Sequence, residues 1–157
     1  MRQDILLIIP CSKKKIWDKM PILRDVPAKY AYTSTYFRLC RSLAERMNVP
    51  WFILSAKYGL IPPEYIIPNN YDVSFKANPG KSADLQLIIR QMKNHKIYKF
   101  EKIYSLCGNH YNKILNNALC TFDRTLDILF PADMKSIGKR QKWMKHLCEN
   151  PNYFDLK

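Results

Sequence analysis

The run Asp4-Ile5-Leu6-Leu7-Ile8-Ile9 restricts this chain more than any other stretch. Successive side chains of a strand point to opposite faces, and here every one after Asp4 is aliphatic. Both faces must therefore be covered, which is the condition of a central strand in a parallel sheet flanked by helices. Pro10 follows; it has no amide hydrogen to give a ladder, so it fits the strand's end. The remainder continues the alternation. Thr33 to Asn48 reads as a helix, with Thr33 or Ser34 as N-cap and Phe37, Cys40, Ala44 and Met47 at helical spacing. Trp51-Phe52-Ile53-Leu54 reads as a second strand. Ser82 opens a helix whose inward stripe is Leu85, Ile88, Ile89 and Met92. Lys102 to Leu106 reads as a third strand. Asn109 or His110 begins a helix with Tyr111, Ile114, Leu115 and Ala118 on one side. Leu126 to Phe130 reads as a fourth strand. Ser136 to Asn150 reads as a last helix, with Ile137, Met144, Leu147 and Cys148 on its apolar side. This order predicts a single α/β domain over residues 1–157. It has three layers: a mostly parallel sheet of about four strands with helices on both faces.

Open parallel sheets bind ligands beyond the carboxyl ends of their strands. The four exits here are Pro10-Cys11-Ser12-Lys13-Lys14-Lys15, Ser55-Ala56-Lys57-Tyr58-Gly59, Cys107-Gly108-Asn109-His110-Tyr111 and Pro131-Ala132-Asp133. All four are expected to face one crevice. In the first, Ser12 and the following amides suit a phosphate and Lys15 supplies its counter-charge. Cys11 has the chemistry of a nucleophile, but no histidine stands at a diagnostic spacing, so packing is the better expectation for it. Gly108 and Asn109 lie where a strand turns into a helix, a place that favours anions. A connection of about 20 residues, Ile61 to Lys81, is long enough to be either functional or an unrecognised element. Its most chemical pair is Tyr71-Asp72. A carboxylate beside an aromatic ring suits activation of water or stabilisation of a sugar cation, and equally suits a turn that satisfies backbone amides.

Charge narrows the partner. There are 26 basic and 13 acidic residues, a net charge of +13, together with ten Tyr, seven Phe and three Trp. Basic plus aromatic surface fits a ligand with phosphates and stackable bases, so nucleic acid is expected as partner, DNA before tRNA. Lys13 and Lys14, with Lys139, Arg140 and Lys142 among the basic residues of the last helix (Lys135 and His146 lie on the same face), are candidate contacts to its backbone. The five cysteines are odd in number and contain no Cys-x-x-Cys pair, so reduced thiols in a cytoplasm are expected. The apolar run from Ile5 to Pro10 is too short for a signal peptide or a membrane span, and no membrane partner is expected. The sequence has neither a GxGxxG fingerprint nor a P-loop, and no cluster of metal ligands, so no cofactor and no metal are expected.

Several motifs taken together resemble a known group. Pro10-Cys11-Ser12-x-x-Lys15, Tyr32-x-Ser34-x-x-Phe37, Ser55-Ala56-Lys57-Tyr58-Gly59-Leu60 and Tyr71-Asp72 resemble a family of small bacterial and phage proteins. That family looks related to the domain of archaeosine synthase that carries a Pro-Cys-Ser…Lys motif. It is similar, more loosely, to the YaaA peroxide-stress proteins, which bind DNA, and to a phage-defence glycosylase that excises glucosylated hydroxymethylcytosine. The resemblance spans roughly Pro10 to Asp72, with weaker support from Gly108 to Tyr111. It implies a uracil-DNA-glycosylase-like fold. The chain departs from archaeosine synthase at Ile16-Trp17, where that enzyme has Pro-Tyr after its lysine. It also lacks the Gly-Gln-Asp-Pro loop of uracil-excising enzymes.

The leading expectation is a DNA glycosylase that removes a modified base and leaves an abasic site. Asp72, Lys15 and Ser12 are its candidate catalytic residues. Cys11, Ser55, Lys57, Tyr58, Tyr71, Gly108, Asn109 and Tyr111 are candidate substrate contacts. Two alternatives stay open: an enzyme or subunit modifying a deazaguanine base in tRNA, and a DNA-binding stress protein without catalysis.

Overall fold

The structure, a computed structural model, describes residues 3–130, 134 and 136–150. The expected strand exit Pro131-Ala132-Asp133 and Lys135 lie outside the described residues. Among the described residues six strands and five α-helices run in the order β1 (Ile5–Pro10), β2 (Val26–Pro27), α1 (Ala28–Ala31), α2 (Thr35–Met47), β3 (Trp51–Ser55), β4 (Gly59–Ile61), β5 (Ile66–Ile67), α3 (Leu85–Asn94), β6 (Lys102–Ser105), α4 (Asn109–Cys120) and α5 (Ile137–Glu149). The main sheet has the order β4-β3-β1-β6. β1 is parallel to β3, with Ile8 opposite Phe52, and parallel to β6, with Leu6 opposite Ile103. β4 is antiparallel to β3.

β1 has the two covered faces that its composition demands. Ile5, Leu7 and Ile9 enter one core with Phe37, Cys40, Leu43 and Ala44 of α2 and Met144 and Leu147 of α5. Leu6 and Ile8 enter the other with Ile88 and Met92 of α3 and Leu115, Ala118 and Leu119 of α4. Helices thus cover both faces, and the chain is a mixed α/β fold with a mostly parallel four-stranded sheet. Each aliphatic side chain of β1 from Leu6 to Ile9 is fully buried, worth about 1.5–3 kcal/mol apiece.

Helix starts follow local chemistry. Ser34 caps α2 by accepting from Phe37 N–H at 3.1 Å. Asp84 caps α3 by accepting from Leu87 N–H at 2.8 Å, so that helix begins at Leu85 and not at Ser82. Ser136 caps α5 through Lys139 N–H at 3.2 Å. Two apolar residues expected to face inward do not: Leu85 and Ile137 stand on first turns and are exposed.

The expected strand Leu126–Phe130 is absent; one residue of it, Asp127, makes an isolated parallel bridge to Tyr104. Its amide donates to the Ile103 carbonyl at 2.8 Å, but its own carboxylate accepts the Ile103 amide at 2.8 Å. The side chain takes the position of a ladder acceptor, and the pairing goes no further. The fourth strand is instead β4, from residues that read as a turn and the start of a long connection. Gly59 makes this possible: its φ of 77° turns the chain back along β3. The long connection also contains β5, which pairs antiparallel with β2. Among the described residues no helix is long and apolar enough to cross a membrane.

Candidate functional site

At the carboxyl end of β1 the chain leaves the sheet and lines a cavity of about 420 Å³. Cys11, Ser12, Lys13 and Lys15 line it from the exit of β1; Tyr71, Asp72, Val73, Ser74, Ala77 and Asn78 line it from the connection between β4 and α3; Tyr111 lines it from α4. Residues 60 and 100 positions apart in the chain meet here because β1, the β4–α3 connection and the start of α4 share one sheet edge.

Lys15 is the most unusual group in the cavity. It is only 4% exposed, although lysine almost never lies buried. Its Nζ sits 4.4 Å over the Tyr71 ring and donates to the Lys13 carbonyl at 3.1 Å. Burial lowers its pKa; the Cys11 thiol and the carboxylates of Asp72 and Asp18 counter part of that shift. Among the described residues no carboxylate bonds this ammonium directly, an arrangement that leaves its charge available to an anion.

Beneath it lies a chain of hydroxyls. Tyr71 Oη shares hydrogen bonds with Tyr32 Oη and, at 3.1 Å, with Ser55 Oγ. Ser55 Oγ also accepts the amides of Lys57 at 3.3 Å and Tyr58 at 3.1 Å. With both lone pairs occupied, the Ser55 hydroxyl donates to Tyr71, whose proton then goes to Tyr32. Burial raises the pKa of both phenols, so the chain stays neutral and rigid. The Tyr71 ring is held edge-on by Tyr58, with centroids 5.4 Å apart.

Cys11 is half-buried, and its Sγ shares a hydrogen bond with Tyr111 Oη at 3.4 Å. Burial pushes the thiol up, against the Tyr111 bond, the Ala56 backbone and the Lys15 charge. A thiol held protonated is a poor nucleophile, in keeping with packing as its role. Ser12 Oγ donates to the Lys14 carbonyl at 2.6 Å, leaving only its lone pairs for a ligand. Asp72 is exposed on the rim.

Residues 6–146 match the model of a family of unknown function, DUF6884. The chain belongs to that family. It is also similar to YfjM, an uncharacterized protein of Bacillus subtilis (strain 168), with 36% identity over 111 residues, which are 71% of this chain and 74% of that protein. No solved structure matches the chain to significance. The stretch shared with the DUF6884 family takes in every residue lining the cavity, from Cys11 to Tyr111.

Not all expected site residues reach the cavity. Ser55 is fully buried under Tyr71, and Tyr58 packs between Tyr65 and Tyr71. Lys57 is exposed, with Nζ 5.5 Å from the Tyr71 ring centre. Gly108 and Asn109 are exposed at the start of α4 and do not line the cavity. Lys139 and Lys142 are exposed on α5, remote in sequence from the cavity walls. Arg140 turns inward: it donates to the Cys107 carbonyl at 3.1 Å and the Met134 carbonyl at 3.1 Å, tying α5 to the exit of β6. Lys14 lines a second, larger cavity, whose wall also includes Lys15.

The rim segment from Val73 to Asn78 was not foreseen as part of the site. Asn78 Oδ1 accepts Ser74 N–H at 3.1 Å and Ser74 Oγ accepts Ala77 N–H at 2.9 Å, which folds the rim into a compact turn. The Asn78-Pro79-Gly80 sequence signals that turn, but nothing in it signals which cavity it borders. Among the described residues no group of three or more His, Cys, Asp or Glu is placed to hold a metal ion.

Proposed function

We propose that this protein is an N-glycosidic hydrolase acting on a modified base in DNA, glucosylated hydroxymethylcytosine being the first substrate to try. The observation that carries the reading is the buried Lys15 ammonium and the exposed Asp72 carboxylate lining one cavity of about 420 Å³. Base excision needs a space for an extruded nucleotide, a positive group for the departing base or its phosphate, and a carboxylate for the water or the sugar cation. Extrusion costs a few kcal/mol, which phosphate contacts on a protein of charge +13 offset.

In this reading the flipped base lies between the Cys11–Tyr111 pair and the rim turn. Lys15 neutralises negative charge on the leaving base. Asp72 orients water at C1′ and steadies the positive charge that grows there as the bond to nitrogen breaks. The Ser55–Tyr71–Tyr32 hydroxyl chain holds the floor under Lys15. The mixed α/β fold with its site at the parallel strand ends suits the uracil-DNA-glycosylase-like class, and a reducing cytoplasm suits the five free thiols.

The test is incubation with phage DNA carrying glucosylated hydroxymethylcytosine, followed by alkali and sizing of the fragments. The reading expects alkali-labile sites with wild type. With Asp72→Asn it expects their loss without loss of DNA binding. Intact DNA after wild-type treatment, with each of several modified phage DNAs, would refute it.

A further inference from the structure

The larger cavity beside the site has a volume of about 660 Å³ and lies between the turn Lys14–Met20 and the helices α1 and α2. Lys15 lines it as well as the smaller cavity, so the two spaces share one side chain as a wall. Its other cations divide into two sets. Arg41 is committed to Glu45 at 2.7 Å and to the Lys29 carbonyl at 3.0 Å, and Lys29 is committed to Glu64 at 2.7 Å. These two stand over the ring of Tyr30, which remains exposed, at 4.6 and 5.1 Å from its centre. Lys14, Lys19 and Arg38 are exposed, and among the described residues no carboxylate pairs with any of them. Among the described residues the one carboxylate lining the cavity, Asp18, accepts the Lys15 amide at 3.0 Å.

We infer that this groove holds an unpaired nucleic-acid strand leading to the reaction cavity. Lys14, Lys19 and Arg38 take successive phosphates, and one base packs against the exposed part of the Tyr30 ring beside the cations that stand over it. A groove with unpaired cations and a committed carboxylate selects a polyanion. An exposed ring flanked by cations selects a ligand that offers an uncovered π-face between its charges, which a paired duplex does not. The shared Lys15 then stands where the strand passes from groove to cavity, between the last bound phosphate and the extruded nucleotide. The inference rests on the proposed action on nucleic acid, and moves the backbone contacts from α5 to the segment Lys14–Arg41.

The experiment measures binding of a labelled single strand of about 15 nucleotides, as DNA and as RNA, and of the matching duplex, across a salt series. The variants are Lys19→Gln with Arg38→Gln, Tyr30→Ala, and Lys139→Gln with Lys142→Gln. All replace exposed side chains, and thermal melting confirms their folding. The groove doublet should bind single strands about tenfold or more weakly, with a salt slope shallower by about 1.4, or 0.7 for each lost phosphate contact. Tyr30→Ala should weaken single-strand binding about fivefold or more and leave duplex binding unchanged. The α5 doublet should bind like wild type, and the relative affinity for DNA and RNA identifies the strand. Wild-type affinity in the groove doublet overturns the groove, most plainly if the α5 doublet carries the loss instead. Groove-dependent binding without base release refutes the glycosylase and leaves the groove standing. Absence of any nucleic-acid binding removes both.

Discussion

Lys15→Met separates a ligand-facing cation from a structural one. The change keeps the length of the stem and removes the charge. Two favourable contacts go: the bond to the Lys13 carbonyl, about 1.5–3 kcal/mol for a charged donor, and the contact with the Tyr71 ring, about 0.5–2 kcal/mol. One unfavourable component goes with them, the desolvation of the ammonium on a residue that is 4% exposed, on the order of several kcal/mol. The opposing terms are of equal size, so stability should change by less than about 1.5 kcal/mol. For a chain of this length that is at most about 6 °C in Tm. The pH dependence has a definite sign. Burial lowers the Lys15 pKa below its ordinary 10.5, so just below that pH the unfolded state binds more protons than the folded one. Wild type should therefore gain stability relative to Lys15→Met as pH rises through the folded pKa, the gain being complete above the unfolded value. Melting curves of the two proteins between neutral pH and pH about 11 read both quantities. DNA binding and base release, measured on the same samples, should fall sharply. A Tm loss above about 8 °C with base release intact would make Lys15 a strut, and the functional argument from its burial would collapse.

Other outcomes follow from the same geometry. Ser55→Ala strands two amides and the Tyr71 hydroxyl in a fully buried place, so it should cost about 2–4 kcal/mol, or roughly 5–15 °C in a thermal melt; an unchanged Tm would show that water replaces the hydroxyl. Gly59→Ala combines a φ of 77° with a Cβ that would meet Gln91 Oε1 at 2.3 Å, dislodging the side chain that accepts Leu60 N–H and donates to the Tyr58 carbonyl. It should destabilise by at least about 2 kcal/mol, with denaturant titration as the readout and a wild-type midpoint as the refuting result. Because burial holds Cys11 protonated, iodoacetamide at neutral pH should label exposed Cys120 first. Peptide mapping that finds Cys11 labelled faster would restore it as a nucleophile.

The sheet was legible in the sequence where hydrophobicity alone decides it. β1, β3 and β6 are short runs with an apolar residue at most positions, and they formed within a residue or two of where they read. Leu126–Phe130 has a similar apolar content, but Asp127 places a carboxylate where the next backbone acceptor would stand, and a hydropathy pattern is blind to that exchange. β4 was illegible for the opposite reason. Its residues carry turn signals, and the turn is real; what the pattern omits is that Gly59 returns the chain along β3, where Gln91 of α3 braces it from a distance of over 30 positions.

The candidate site shows a sharper division between motif and role. Cys11, Ser12, Lys15, Tyr71, Asp72 and Tyr111 do meet, four of them from the exits of β1 and β6 and Tyr71-Asp72 from the connection between β4 and α3. The motif residues divide on burial. Ser55 binds amides beneath the cavity, Tyr32 receives the hydroxyl chain, Ser34 caps α2, and Gly59 turns a strand. These residues support Lys15 and Tyr71, which are themselves buried yet line the cavity. A motif read as a line of text gives each residue equal standing. Burial separates them: a polar group with all its partners inside the fold is scaffold, while a charge kept near the interior with a carbonyl and a ring but, among the described residues, no bonded carboxylate suits a ligand's opposite charge. Lys15 meets the second description, and Ser55 the first, although both stand in equally distinctive stretches of the chain.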